Sequence, residues 1–464
     1  MLGLFADAAP YSKSDSIFSW YMNIVPYVRR YLVCTLQKRE LCTCGCRGFC
    51  TFGAIDRVIA QSLTRLALGN AGLEVRAVLM EFRADWAQIN MTFGTNNWSK
   101  DRMCWKCLSC KANRFLFRTP WAAIRHADVI GDIDQRLIRV VVLTRDALDD
   151  IFDAMTFQKK WRGRVLRRHF PAVPGSISGD DLQPRDRLLV GGDVVDMHTD
   201  SESLPIPCSM VWYRWDAEAH CNVVTPLLGV PGFKWEYVKV DAMHNLDCKG
   251  VTSCFAATVI RRLLECNAFR RGVTKEDYPE AMRDVSRALR EWYKGQRGIE
   301  NKSRIGRLTV GMLGPRKKPV LAAKAAEMRH SLGFFQALLE VHVALLDENG
   351  RHGTYLVTAG RALQSIYGIM QKATRAFTVE ESDKLLCKTF EFLDYWSLAK
   401  AYRMPKHHVL VHLARDAAWA GNPRFYWTYA DESMNMDVVR IAQSTHIAEF
   451  YDRCLSKWAK CDNA

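Results

Sequence analysis

The sequence predicts a mixed α/β fold with a cysteine-rich insertion and a large all-α insertion before a final helix. Three observations lead there. Short runs rich in aromatic and β-branched residues alternate with turn residues over the first hundred positions. A cysteine-rich, basic and irregular stretch follows, and from Val251 onward apolar residues recur at the helical period. With 48% hydrophobic and 25% charged residues, a chain of 464 can bury a large core, which excludes disordered and low-complexity classes. Its length suggests roughly two to four domains, or one domain with long insertions.

Leu2 to Phe5 is an apolar run that ends near Asp7, and Ser16 to Val25 and Arg30 to Leu36 complete a set of three strands. After a loop from Cys42 to Cys50, Ile55, Val58, Ile59, Leu63, Leu66 and Ala67 fall at helical spacing, closed by Gly69 and Gly72. Val75 to Phe82 is a fourth strand running straight into Asp85. Strand, strand, strand, helix, strand, with an aspartate near the end of the first strand and another after the fourth, is the RNase H-like order. From Gly94 to Phe233 the pattern is irregular, with a helix expected at Thr144 to Met155 and short β pieces near Val211 to Trp215 and Val223 to Val230. Trp235 to Val240 reads as a further core strand ending at Asp241. Helices are expected over Thr252 to Phe269, Tyr278 to Lys294, Val320 to Leu346, Thr354 to Lys372 and Glu380 to Ala401, with a last one from about Ala430 to Trp458. The chain thus divides at 1–100 (first part of the core), 101–232 (cysteine-rich and basic insertion), 233–250 (core strand with its D-x-x-H), 251–420 (helical insertion) and 421–464 (final core helix).

The residues suited to chemistry are Asp7, Asp85, Asp241, His244 and Glu432. In the predicted sheet the ends of the first and fourth strands are neighbours, so Asp7 and Asp85 can share a metal, and a glutamate on the last helix can close the site. Three carboxylates with open coordination positions suit Mg²⁺, or Mn²⁺ in its place. Two such ions would activate the attacking oxygen and stabilise the leaving oxygen of a phosphodiester. Asp85 and Asp7 also fit simple turn or capping roles, and Asp241 could replace Asp85 as the second ligand. His244, three positions after Asp241, could orient a carboxylate or contact phosphate. Glu432 is preferred to its neighbour Asp431 because the aromatic approach FYWTY would bury that first turn.

Sixteen cysteines without a signal-peptide pattern read as reduced thiols, some of them structural Zn²⁺ ligands. Cys104 and Cys107 have the knuckle spacing for tetrahedral zinc. The remaining ligands could be Cys110 with His126, or thiolates from Cys42, Cys44, Cys46 and Cys50. Lys406, His407, His408 and His412 look like part of a metal ligand set but lack the glutamate of H-E-x-x-H, so packing or phosphate contact is the reading there. The net charge of +15 (65 basic against 50 acidic residues) favours a polyanion, with nucleic acid ahead of a membrane surface. Much of it is local: Lys159, Lys160, Arg162, Arg164, Arg167 and Arg168 surround Trp161 with no acidic residue among them, and are expected to contact DNA. Arg304, Arg307 and Arg316 to Lys318 form a second basic region. No apolar run is long enough to span a membrane, and no glycine-rich loop has the spacing of a nucleotide site.

The segments LFADAAPYSKSDS, LCTCGCRGFCT, EFRADWAQI followed by MCWKC, VDAMHNLDCKGV and YWTYADESMN together resemble the catalytic region of eukaryotic cut-and-paste DDE transposases of the CACTA (En/Spm) and Kyakuja-Dileera-Zisupton kind. The resemblance spans nearly the whole chain. It implies an RNase H-like core interrupted by a helical insertion, with Asp7, Asp85 and Glu432 as catalytic carboxylates. Cys104 and Cys107 match that family's C-x-x-C pair, and Asp241 and His244 its D-x-x-H. It further implies metal-dependent DNA cleavage and strand transfer, a nuclear location and action as a homo-oligomer, or a degenerate or domesticated derivative of that activity. The alternative is a catalytically inactive, zinc-stabilised DNA-binding or interaction protein with the same ancestry. Because Met1 lies just before the first strand, the family's N-terminal DNA-binding module is expected to be missing.

Overall fold

The structure is a computed structural model. It describes residues 1–119 apart from 13–14, 26, 28, 42–48, 70–75, 94, 96–98, 100–102 and 108; Ala123 and four short strands between 120 and 224; and residues 225–461 apart from 270–274, 297–302 and 446–449. The fold is mixed α/β, and the chain divides into two compact units. The first comprises Met1–Lys111, Trp121–Val238 and Ser433–Ala464; the second comprises Ala112–Pro120 and Lys239–Glu432.

In the first unit β1 (Leu2–Pro10), β2 (Ser16–Ile24), β3 (Arg30–Gln37) and β4 (Leu79–Arg83) form a sheet in the order β3-β2-β1-β4. β1 pairs antiparallel with β2, placing Asp7 opposite Ser19, and parallel with β4, placing Phe5 opposite Arg83. Alternation along the strands gives each face its own partner. Phe18 and Trp20 meet Phe52 of α1 (Phe49–Leu68), with ring centroids 5.0 and 5.6 Å away. Phe5, Ala9, Ile17 and Tyr21, on the opposite face, form a core with Val438, Val439 and Ala442, and with Phe450, Cys454 and Trp458 further along. The fourth strand is shorter than the apolar run suggests, and α2 (Trp86–Phe93) begins at once after Asp85. Four further strands, β5 (Val140–Val142), β6 (Arg187–Val190), β7 (Asp193–Asp196) and β8 (Val211–Tyr213), form a second sheet in the order β7-β6-β5-β8.

Two expected β segments take another form. Over Trp235–Tyr237 the chain makes a 3₁₀ turn, and only Val238 pairs, in a single parallel bridge to Phe82. The turn lets Trp235 enter the core against Phe93 and Trp105, and its indole N–H donates to the Trp105 carbonyl at 3.1 Å. Pro226–Gly229 is likewise a 3₁₀ turn, capped by Thr225.

The second unit is helical. Its centre is α3 (Val251–Glu265), in which twelve of fifteen residues are buried, as a helix covered on all sides requires. Around it run α4 (Tyr278–Gly295), α5 (Ala325–Val341), α6 (Val343–Glu348), α7 (Gly353–Lys372), α8 (Val379–Leu398) and α9 (Pro405–Ala420). The single helix expected over Val320 to Leu346 starts later, at Ala325, and is broken at His342, whose φ of −111° and ψ of 16° leave the helical region. The last expected helix is also two: α10 (Tyr429–Gln443) and α11 (Phe450–Cys461). The boundary between the units falls within α10.

Trp458 closes the sheet face against Tyr21 at a centroid distance of 5.8 Å and is 7% exposed. Trp458→Ala is expected to lower unfolding free energy by about 3 to 5 kcal/mol, read as a fall in the urea midpoint.

Candidate functional site

Asp241 is where the helical unit concentrates its polar contacts. It is fully buried and accepts from the backbone N–H of Met243 (3.0 Å) and His244 (3.2 Å). It also accepts from the N–H of Thr428 at 3.0 Å and from that residue's hydroxyl at 2.5 Å. One carboxylate therefore caps two chain segments: the π-helical turn Met243–Asp247 and the start of α10, where Thr428 accepts the first helical bond from Glu432 N–H at 2.8 Å. A π turn places more residues per turn than an α-helix and is often found at functional sites. Here it is pinned by Lys406, whose ammonium donates to the carbonyls of His244 (2.5 Å) and Cys248 (2.8 Å), and by Asn245, which donates to the Lys406 carbonyl. Gly250 closes the turn where a Cβ would lie 2.3 Å from the Asn245 carbonyl oxygen.

His244 lies between two carboxylates. Its Nδ1 is 2.5 Å from Asp241 Oδ2, and its Nε2 is 3.4 Å from Glu432 Oε1. Asp241, which is buried and ionised, fixes a proton on Nδ1, so Nε2 of a neutral ring presents a lone pair to Glu432. Two acceptors facing each other need a proton or a metal cation between them. The arrangement can therefore hold a proton on His244, or let His244 and Glu432 serve as ligands of one ion. Glu432, not Asp431, faces His244; Asp431 is fully buried.

Asp247, at the end of the same turn, accepts from the hydroxyls of Tyr367 and Tyr429, the latter at 2.6 Å. Tyr367 is in turn 2.8 Å from the Thr252 hydroxyl. Asp241 and Asp247 thus hold consecutive residues, Thr428 and Tyr429, at the start of α10. Burial raises both carboxyls, with opposite net results. At Asp241 the hydrogen bond and charge of His244, with Thr428 and the Met243 N–H, outweigh burial and hold the carboxyl below its ordinary value. At Asp247 burial prevails over the two tyrosine donors and pushes the carboxyl up to about 7.

The first unit holds the other two aspartates. Asp7 lies on central β1, 8% exposed, and its Oδ2 accepts from Asn435 Nδ2 at 3.4 Å. Asp85 caps α2, with its Oδ1 accepting from Gln88 N–H at 2.7 Å. Since Phe5 is opposite Arg83 on adjoining parallel strands, Asp7 and Asp85 each follow two residues beyond a matched pair.

Cys104 and Cys107 are both buried, and the Lys106 N–H points at Cys104 Sγ from 3.4 Å. Burial and the neighbouring Cys107 push the Cys104 thiol well up. Bound metal would reverse that, because a ligating sulfur is a thiolate. Cys110 is only partly buried. In α9, His408 and His412 are also buried, their Nε2 atoms 3.1 Å apart, and His408 Nδ1 is 3.0 Å from the Arg114 carbonyl. That contact puts a proton on Nδ1 and leaves the His408 Nε2 lone pair turned toward His412, as in a metal-ligating histidine. Cys104 and Cys107 in the first unit, and His408 and His412 in the second, are each a buried pair of side chains of the kind that ligates a metal such as zinc. The burial of His408 and His412 agrees with the packing half of the sequence reading and keeps them from an external phosphate. His407 does serve packing: its ring lies stacked against both Phe392 and Trp396, and burial lowers it to about 3. Cys42, Cys44, Cys46, His126 and the basic run Lys159, Lys160, Arg162, Arg164, Arg167 and Arg168 lie outside the described residues, as do the side chain of Cys50 and the helix expected at Thr144 to Met155.

No helix among the described residues is long and apolar enough to cross a membrane. No family model matches the chain, and a search of curated proteins finds no match.

The two aspartates give stability opposite pH dependences. Asp241 has a lowered folded value, so its contribution is present above the unfolded carboxylate range near pH ~4 and is lost as pH falls through the folded value. Asp247 has a raised one, so the folded state holds an extra proton between about pH 4 and about 7, and stability declines across that interval as pH rises. Asp247→Asn is expected to flatten that decline by about 2 to 4 kcal/mol between pH 4 and 7 in urea titrations.

Proposed function

We propose that the chain is a transposase-like, metal-dependent DNA nuclease or strand-transfer protein built on an RNase H-like core. The observation that carries the reading is the parallel register of β1 with β4, in which Phe5 is opposite Arg83, so that Asp7 within β1 and Asp85 just past the end of β4 each follow two residues beyond that pair. The strand order β3-β2-β1-β4, the helix between β3 and β4 and the helices covering each face support it. In this reading Asp7, Asp85 and Glu432 hold Mg²⁺ or Mn²⁺, which supplies Lewis-acid activation of water and of the scissile phosphate. The chain's own contribution is to fix Glu432 through Thr428 and to keep His244 oriented by Asp241, ready to accept or return a proton at Nε2. DNA is the substrate and partner, the protein acts as an oligomer on paired ends, and its place is the nucleus.

A second reading, a catalytically silent DNA-binding or interaction protein with the same fold, is favoured by one observation: Asp85 already serves as the cap of α2. In either case we propose that Cys104 and Cys107 ligate a structural Zn²⁺.

Purified protein is expected to nick supercoiled DNA with Mg²⁺ or Mn²⁺, and Glu432→Gln and Asp85→Ala are each expected to lower the rate by at least about a hundredfold. Equal rates in wild type and both variants would assign cleavage elsewhere; no cleavage by any of them would leave the silent reading. Metal analysis should return one zinc per chain, falling below half in Cys107→Ser. Zinc retained in that variant would exclude Cys107 as a ligand.

A further inference from the structure

Between α4 and α5, the described residues Ser303–Lys324 contain one short 3₁₀ turn, Val310–Leu313, and are otherwise irregular. Connections of that length are usually functional. This one is firmly held. Leu308 N–H donates to Ser286 Oγ at 3.0 Å, and Ile305 N–H donates to the Tyr293 hydroxyl at 3.2 Å. Leu321 N–H reaches the Ser253 carbonyl at 3.0 Å, Ala322 N–H reaches Met312 O at 2.8 Å, and the Arg261 guanidinium donates to Gly314 O. Ile305, Leu308, Leu313 and Leu321 are buried anchors between these bonds.

All the charge that the anchors leave outside is cationic. Arg304, Arg307, Arg316, Lys317 and Lys318 are exposed, and from Ser303 to Lys324 the sequence has six basic residues and no carboxylate. Arg316 has one acidic partner, Glu265 at 2.9 Å. Gly306 and Gly311 are exposed among these cations, and a Cβ at either would meet nothing closer than 4.0 Å. Neither has a positive φ. The fold therefore has no steric need for glycine there, whereas a bare backbone permits close approach of a ligand. The segment also adjoins the site within the same unit: Ser303 O is 3.2 Å from His330 Nδ1, and the preceding Arg329 lies over Trp427 at 4.2 Å and Tyr429 at 5.7 Å.

We propose that Ser303–Lys318 is a preformed surface for the phosphate backbone of duplex DNA, which it directs toward His244 and Glu432; its choice of partner rests on the nucleic-acid reading above. Because the backbone is already ordered, binding does not have to order the loop, and the contact is indifferent to base sequence.

The test is fluorescence anisotropy of a short random-sequence DNA duplex, titrated with full-length protein across about 50 to 200 mM salt. The triple variant Arg307→Ala, Lys317→Ala, Lys318→Ala is expected to make the slope of log K against log salt shallower by about 2 to 3. The control Arg283→Ala, Arg287→Ala alters exposed arginines that already lie beside Glu280 and Asp284 and should keep the wild-type slope. Thermal midpoints within about 2 °C of wild type would confirm that both variants are folded. An unchanged slope in the triple variant, or an effect seen with duplex RNA and not with DNA, overturns the proposal. If the triple variant loses affinity while the wild type never nicks DNA, the nuclease reading fails and the DNA surface stands.

Discussion

Most of what is organised around His244 depends on the buried carboxylate of Asp241. Bringing that charge out of water is costly, and the cost is offset only because every lone-pair direction meets a donor: two backbone N–H groups of its own turn, one from Thr428, a hydroxyl and an imidazole. Three of these donors are local and two come from 187 residues away. The start of α10 is thus fixed to the π turn by the same atoms that orient the His244 ring. Removing the charge would release both together.

Asp247 adds a second layer to this clamp. Its two tyrosine hydroxyls come from α7 and from the residue after Thr428, and Thr252 of the central α3 joins through Tyr367. Such a network gives the helices a single register that apolar packing alone would leave degenerate, because any slip leaves buried polar atoms unsatisfied. The unit therefore places its most demanding polar groups where helix positions must be exact to within a hydrogen bond.

The sheet is legible in the sequence because alternation writes the two faces of β1 and β2 directly into it, and Asp241 and His244 are legible through their local spacing. Trp235–Val240 is not, since its aromatic and β-branched residues, interrupted by Glu236 and Lys239, fit a strand and a packed turn equally; only the partner Phe82 decides, and it pairs at Val238 alone. Thr428, Tyr429 and Asp247 give no signal, since their roles consist of contacts more than a hundred residues apart. His408 and His412 stand out by their helical spacing, but that spacing alone does not tell a packed pair from a ligand pair.

Lys406 has a consequence beyond closing the π turn. It stands at the head of α9, two residues before His408, and its side chain reaches back to the carbonyls of His244 and Cys248. The histidine pair and the His244 turn are therefore two stations on one short lever. A ligand that stiffens or shifts α9 at His408 and His412 must alter the free energy of the His244 turn, and by thermodynamic reciprocity whatever binds at His244 alters the affinity of the histidine pair by the same factor. The Asn245 amide, donating to the Lys406 carbonyl, ties the turn to α9 a second time.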